Sequence, residues 1–239
     1  AVDPSKLAEK MGLDVKLQDI TEDLSIFGQV FFQDSEAEFY DPDKDELVLT
    51  SVKAGTIFVD PKAYFLRNLG SVNNTIVHEC VHWDKHRKAF ELERLYNSSA
   101  SKIKCQVVGG IKDSNKEATD WMEWHATALT PRIQMPLAMF KTKAFEFIKQ
   151  YRQQLWTSEL IDVMEPVIDA LSAFFCVSRI AAKIRMVDVG YEEAIGTFTY
   201  LDGRYIKPHG FKKGFLKRNQ TFSIGAVDAA IQTMTNPEL

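Results

Sequence analysis

The stretch that decides the fold is residues 75–83, which read Thr75-Ile76-Val77-His78-Glu79-Cys80-Val81-His82-Trp83. On an α-helix, residues four apart lie on one face, one turn apart, so His78 and His82 can bind one metal ion together. Glu79 stands beside the first histidine, where its carboxylate can reach a water molecule on the metal. This spacing predicts a helix that carries a metal centre.

The residue types in this motif suit hydrolysis assisted by zinc. Zinc lowers the pKa of a bound water towards ~7, and a nearby carboxylate can then accept the proton. Glu79 would be this general base and would later pass the proton to the leaving amine. The remaining side chains of the helix are apolar and predict burial: Ile76, Val77, Cys80, Val81 and Trp83. We therefore expect a zinc metallopeptidase, with Cys80 a small core residue instead of a reactive thiol.

A catalytic zinc usually takes three protein ligands, so a third must lie outside the motif. The metzincin pattern is excluded, because Lys85 and Lys88 stand where that pattern needs a glycine and a histidine. His86 continues the face of the two motif histidines. A rise of ~6 Å per four residues places it too far along the helix to join the site. We interpret His86 as a solvated surface residue.

The better candidate for the third ligand is Glu123, on a second predicted helix. Its same-face neighbours are small and let another helix approach closely: Thr119, Ala126 and Thr127. His125 is the rival candidate, but it points elsewhere and its own face suits packing. Glu117 lies in the loop before this helix and has no such face. Thr127 either accepts a hydrogen bond from a ligand histidine or only keeps the face small, and both interpretations stay open.

Three segments of the chain resemble the ImmA/IrrE family of zinc metallopeptidases. The first is the motif helix, residues 75–83. The second is Met122-Glu123-Trp124-His125-Ala126-Thr127-Ala128-Leu129, closing with Met135-Pro136, and the third runs from Phe175 to Met186. Together with the predicted strands upstream, the resemblance covers roughly residues 25–190.

The resemblance implies a zincin-like metallopeptidase with His78, His82 and Glu123 as zinc ligands and Glu79 as the base. It also implies a cytoplasmic endopeptidase of bacterial or phage regulation, whose substrate is a helix-turn-helix repressor or antitoxin. The sequence departs from the family at His125 and Thr127, where Gln and Asn are usual, so the hydrogen-bond partners of the ligands can differ. The alternative function is a repressor- or DNA-binding module with a structural or vestigial zinc site.

Around the motif, the residue pattern predicts an α+β fold. Short β-prone runs separated by turn formers lie between residues 25 and 60, and helical patterns dominate after residue 70. We expect a small, mostly antiparallel sheet followed by a helical core that carries the HExxH motif. The resemblance assigns residues 1–190 to the peptidase domain and leaves 191–239 as a C-terminal appendage.

The predicted elements have these bounds. Helices are expected over Pro4–Gly12, from Ser71 or Asn74 to about Tyr96, from Thr119 to before Pro131, over Leu137–Arg152, over Ser158–Phe175 with a break at Pro166, and over Val177–Val189. The tail is expected to form a hairpin over Thr197–His209 and a helix over Ala226–Met234. Residues 97–115, which are polar and hold Gly109-Gly110, predict an excursion loop.

Composition narrows the class of protein. The chain has 239 residues, is 45% hydrophobic and carries a net charge of −4, which suits a compact domain and gives no whole-chain reason to bind nucleic acid or an anionic membrane. No apolar run approaches the ~20 residues that span a bilayer. The scattered cysteines and the charged N-terminus, which is unlike a signal peptide, favour a reducing, cytoplasmic compartment.

Three further features have two interpretations each. Residues 171–190 resemble a helix-turn-helix pair, but their apolar stripe favours packing on the core. Residues 203–220 are basic and could hold DNA or an acidic substrate segment, although such runs are more often solvated surface. Residues 54–59 or 46–52 could be the edge strand that holds an extended substrate. The oxyanion donor stays open among Tyr191, Tyr205 and His209.

Overall fold

The computed structural model describes residues 1–23, 25–62, 69–96, 102–105, 118–197, 199–201, 204–206, 230–231 and 234. The chain forms two compact units, Ala1–Gln134 and Met135–Leu239. The functional division at residues 190 and 191 stays a prediction. Within the described part, no helix combines the length and apolarity needed to cross a membrane.

The elements confirm a mixed α+β fold with a small sheet. The helices are α1 Pro4–Lys10, α2 Leu69–Tyr96, α3 Ala118–Gln134, α4 Leu137–Leu155, α5 Met164–Phe175 and α6 Arg179–Asp188. The strands are β1 Asp14–Leu17, β2 Gly28–Phe31, β3 Ser35–Asp41, β4 Glu46–Val52, β5 Thr56–Val59, β6 Lys102–Cys105, β7 Thr199–Leu201 and β8 Arg204–Ile206. Short 3-10 turns occupy Ile161–Val163 and Glu192–Gly196.

The main sheet has the strand order β1-β5-β2-β6, and it is mostly antiparallel as predicted. Only the β1–β5 pairing is parallel, and β3 and β4 form a separate antiparallel ribbon. The prediction of a loop over residues 97–115 is wrong at β6, where Lys102-Ile103-Lys104-Cys105 alternates polar and apolar residues and pairs with β2. The prediction that residues 54–59 form the edge strand that holds the substrate is also wrong, because β5 pairs with a strand on each side.

One of the two buried clusters of the first unit lies between the sheet and α2. Apolar side chains from α1, the sheet and α2 form one buried cluster: Ala8, Leu13, Val30, Phe32, Ile57, Val59, Ile76, Cys80 and Phe90. The thiol of Cys80 is 2% exposed, and burial raises its pKa to about 12. This agrees with its interpretation as a core residue. The same packing buries the face of α2 that carries the motif: His78, Glu79 and His82.

Both helices that carry the motif residues are longer than predicted. The first helix begins at Leu69, so Ser71 and Asn74 lie inside it and do not cap it. The second continues through Pro131 to Gln134, although a proline removes one backbone hydrogen bond. Thr130, just before the proline, is buried, and its hydroxyl donates to the carbonyl of Ala126 at 2.8 Å.

The second unit is a helical core with a hairpin. α5 begins only at Met164, so Pro166 lies in its first turn, where a proline fits, and the predicted break does not occur. α6 is capped by Ser178, whose hydroxyl accepts from the backbone of Ala181 at 3.2 Å. The predicted hairpin is confirmed by the antiparallel pairing of β7 with β8. The predicted helix over residues 226–234 and the basic run over 203–220 lie largely outside the described residues.

Candidate metal centre

α2 and α3 bring three ligand side chains to one point. The Nε2 atoms of His78 and His82 lie 2.9 Å apart, as expected for residues one turn apart on α2. The carboxylate of Glu123, on α3, spans both rings, with Oε2 at 3.2 Å from His78 Nε2 and Oε1 at 3.2 Å from His82 Nε2. All three ligand groups lie within 4.8 Å of one another, so they are positioned to hold a metal ion.

The geometry of this group fits a small divalent ion. Zinc bonds of ~2.0–2.1 Å in tetrahedral geometry separate ligand atoms by roughly 3.3 Å. The observed separations of 2.9 and 3.2 Å are close to this value. Two imidazole nitrogens and one carboxylate oxygen are also a donor set that zinc accepts. Three positions filled by protein leave room for a fourth ligand from solvent or substrate.

Hydrogen bonds and opposite charge link the Glu123 carboxylate to the two histidines. Burial by itself raises the pKa of the Glu123 carboxyl, but hydrogen bonds and charge from His78 and His82 lower it to about 2. Burial lowers the pKa of His82, but its hydrogen bond to Glu123 and the negative charges of Glu79 and Glu123 outweigh burial and raise it. Hydrogen bonds and charge thus hold the carboxylate against the two rings at the point where a metal ion would bind.

Comparison with known proteins gives no match. No protein-family model, curated protein or solved structure matches this chain. The ImmA/IrrE resemblance therefore rests on the three segments quoted above.

Metal binding should weaken as the pH falls, because the ion must displace the proton on His82. The pKa of His82 is raised above its ordinary 6.5, so protons compete with the ion at every pH below that raised pKa and cease to compete only above it. Glu123, with a pKa of about 2, stays ionised over this range and adds no competition. We expect affinity, measured by competition with a coloured chelator, to rise with pH and then level off. A pH-independent affinity between about pH 5.5 and about pH 8.5 would contradict this.

Glu79 lies inside the protein, where α2 crosses β2. Its side chain is 0% exposed, and its charge acts on the neighbouring His82. The crossing is close because β2 begins with Gly28. A methyl group there would collide with Cγ2 of Thr75 and would lie 3.3 Å from Oε1 of Glu79. The absence of a side chain at Gly28 thus sets how deeply Glu79 is seated.

Replacing Gly28 by Ala should destabilise the fold by about 1–3 kcal/mol, the usual cost of overpacking. The collision is with Cγ2 of Thr75, while the Thr75 hydroxyl donates to the carbonyl of Ser71 at 3.0 Å. Thr75→Ser removes the methyl and keeps the hydroxyl. In a denaturant double-mutant cycle, Thr75→Ser should therefore recover part of the stability lost in Gly28→Ala. Additive effects of the two substitutions would show that this contact does not set the crossing.

His86 is buried, and its prediction as a solvated surface residue is wrong. It is 5% exposed, and its Nδ1 lies 2.9 Å from Nδ1 of His82. The reason is that the buried face of α2 continues past the motif to Phe90, which stacks on Phe32 with ring centroids 4.9 Å apart. The four-residue spacing from His82 through His86 to Phe90 was the sequence signal for this burial. His86 is nevertheless outside the ligand group, as predicted.

The other sequence candidates occupy different places. His125 is half-buried, and its Nδ1 lies 3.2 Å from Nε2 of His86, so it is not part of the ligand group. Thr127 is exposed, and the neighbour of His82 on the side away from Glu123 is His86, while both interpretations of Thr127 stay open. Three further candidates lie outside the described side chains: Glu117, Tyr205 and His209. Tyr191 packs against the core of the second unit.

Proposed function

We propose that this chain is a zinc-dependent endopeptidase of the zincin type, related to the ImmA/IrrE family. The observation that carries the proposal is a buried carboxylate, Glu79, on the same helical turn as two histidines that share a metal-binding geometry with Glu123. A metal site that only stabilises the fold needs its ligands and no further acid. A buried carboxylate is costly, so its presence beside the ligands favours a chemical role.

In the proposed reaction, Glu79 accepts a proton from the attacking water and returns it to the leaving amine. A bound zinc ion would supply Lewis acidity and lower the pKa of that water towards ~7. The pKa of Glu123 is lowered to about 2, and its negative charge would offset part of the charge of the ion. Burial of His82 and Glu79, both 0% exposed, excludes bulk water from the inner side of the site.

The substrate class follows from the resemblance, which implies a helix-turn-helix repressor or antitoxin in the cytoplasm of a bacterium. The test is to load the purified chain with zinc and incubate it with a helix-turn-helix protein, taken from a neighbouring gene where one encodes it. Cleavage at one bond, mapped by mass spectrometry and abolished by a chelator, would support the proposal. An intact substrate with the loaded wild-type protein, under conditions where zinc is bound stoichiometrically, would contradict it.

A DNA- or repressor-binding module is the second candidate, because α5 and α6 are joined by the short turn that a helix-turn-helix pair needs. The burial pattern argues against it. Lys183 and Arg185, two of the basic residues of α6, are buried and donate to the carbonyls of Thr197 and Met135. DNA binding that falls steeply with salt would favour this second function.

A further inference from the structure

Four of the five histidines of the chain lie in one series within the first unit. The ring centroids are 4.7 Å apart between His78 and His82, 4.9 Å between His82 and His86, and 5.4 Å between His86 and His125. Only the first pair belongs to the ligand group. The other two histidines therefore need a separate explanation, because burying imidazoles without partners is unfavourable.

The nitrogen atoms in the series allow one consistent order of hydrogen bonds. A neutral histidine that binds a metal through Nε2 carries its proton on Nδ1. His82 can therefore donate from Nδ1 to Nδ1 of His86, 2.9 Å away, provided that this nitrogen of His86 is bare. Neutral His86 then carries its proton on Nε2 and can donate to Nδ1 of His125 at 3.2 Å. In this order the N–H groups of His82 and His86 each meet an acceptor.

We propose that His86 is a positioning residue of the metal centre, which holds the His82 ring in the orientation and tautomer that metal binding needs, with His125 supporting it. The inference rests on the proposed metal centre but does not depend on peptidase chemistry. His86 is 5% exposed, so water cannot readily replace it as the acceptor. Its Nδ1 faces the His82 nitrogen opposite to the one that meets Glu123. This places His86 behind His82 instead of among the ligands.

The test compares two substitutions of His86 that differ in one property. His86→Phe keeps the ring and its bulk but removes the acceptor, whereas the side-chain oxygen of His86→Asn can occupy the place of Nδ1. We expect His86→Phe to weaken zinc binding by about 10- to 100-fold, the usual cost of losing such a partner. His86→Asn should retain most of the affinity. Affinity is measured by chelator competition, so no enzymatic activity is required.

Phe90→Leu is the matched control, because Phe90 lies one turn further along the same face of α2 and packs on Phe32. This change should lower the free energy of unfolding without changing zinc affinity. If Phe90→Leu weakens zinc binding as much as His86→Phe does, the effect of His86 is packing alone and the inference is wrong. Circular dichroism on each variant identifies any that has not folded.

Imidazole nitrogen NMR gives a direct reading of the donor order. In the zinc-loaded wild type, Nδ1 of His82 should be protonated and hydrogen-bonded, and that proton should exchange faster in His86→Phe. Wild-type zinc affinity in His86→Phe would overturn the inference while leaving the metal centre intact. Two zinc ions per chain, falling to one in His86→Phe, would overturn it by making His86 a ligand. No zinc binding by the wild type would instead overturn the metal centre itself.

Discussion

Glu79→Gln is expected to lower the rate of peptide hydrolysis by about 10²- to 10⁴-fold, the contribution typical of a general base. Gln has nearly the shape of Glu but cannot accept the proton of the attacking water. Glu79 is 0% exposed, so no bulk water stands next to it to take over that role. Zinc should still bind, since Glu79 is not in the ligand group. The measurement is kcat on a cleaved substrate at saturating zinc.

Glu79→Gln should also change the pKa of His82. The negative charge of Glu79 contributes to raising the pKa of His82. Removing that charge should lower the pKa of His82, so the titration of His82, followed by NMR without added zinc, should move to lower pH in Glu79→Gln. Glu91→Gln is the matched control, because Glu91 is an exposed acid on the same helix, paired with Arg87 at 2.9 Å. Full cleavage by Glu79→Gln would rule out the mechanism.

Glu123→Ala is expected to weaken zinc binding by more than about 100-fold, beyond the loss seen when only a hydrogen-bond partner of a ligand is removed. Glu123 supplies the charged ligand, and its carboxyl, with a pKa of about 2, is ionised whenever the histidines are free to bind metal. Glu123→Gln keeps an oxygen donor but loses the charge, so its affinity should fall between the wild type and Glu123→Ala. Both values come from chelator competition at one fixed pH.

Thr127→Ala is the matched control for Glu123, because Thr127 lies one turn further along α3 and is exposed. It should bind zinc with wild-type affinity and so also tests whether Thr127 supports a ligand histidine. Wild-type affinity in Glu123→Ala would mean that another group replaces this carboxylate. His125 is then the first candidate, since it follows Glu123 by two residues on α3.

The local part of the site was predictable from the sequence. The four-residue spacing of His78 and His82 places both rings on one side of any α-helix, whatever packs against it, because the helical repeat is set by the backbone. The apolar residues between them predicted that this helix is buried, and Cys80 and Ile76 do lie in the core. The α+β order of the elements was predictable for the same reason, since it depends on the periodicity of neighbouring residues.

Three of the positions that the sequence predicted wrongly depend on distant partners. β6 exists because β2 offers it hydrogen bonds, and a four-residue strand in a polar segment has little local signal. α3 passes through Pro131 although the proline removes one backbone hydrogen bond, and Thr130 and Gln134 on either side of it are buried. His86 was predicted to lie in solvent because its sequence neighbours are charged. It is buried because other residues of the first unit cover its face of α2.

By itself, then, the sequence determined the α+β class, the motif helix, the histidine pair and the acid beside it, because these follow from spacing along one backbone. Only the tertiary structure decided which side chain from elsewhere completes the group. Glu123 lies 45 residues from His78 along the chain, and α3 must pack on α2 before their side chains can meet. The same packing made His86 a buried neighbour of His82, because burial is a property of what covers a residue and not of the residue itself.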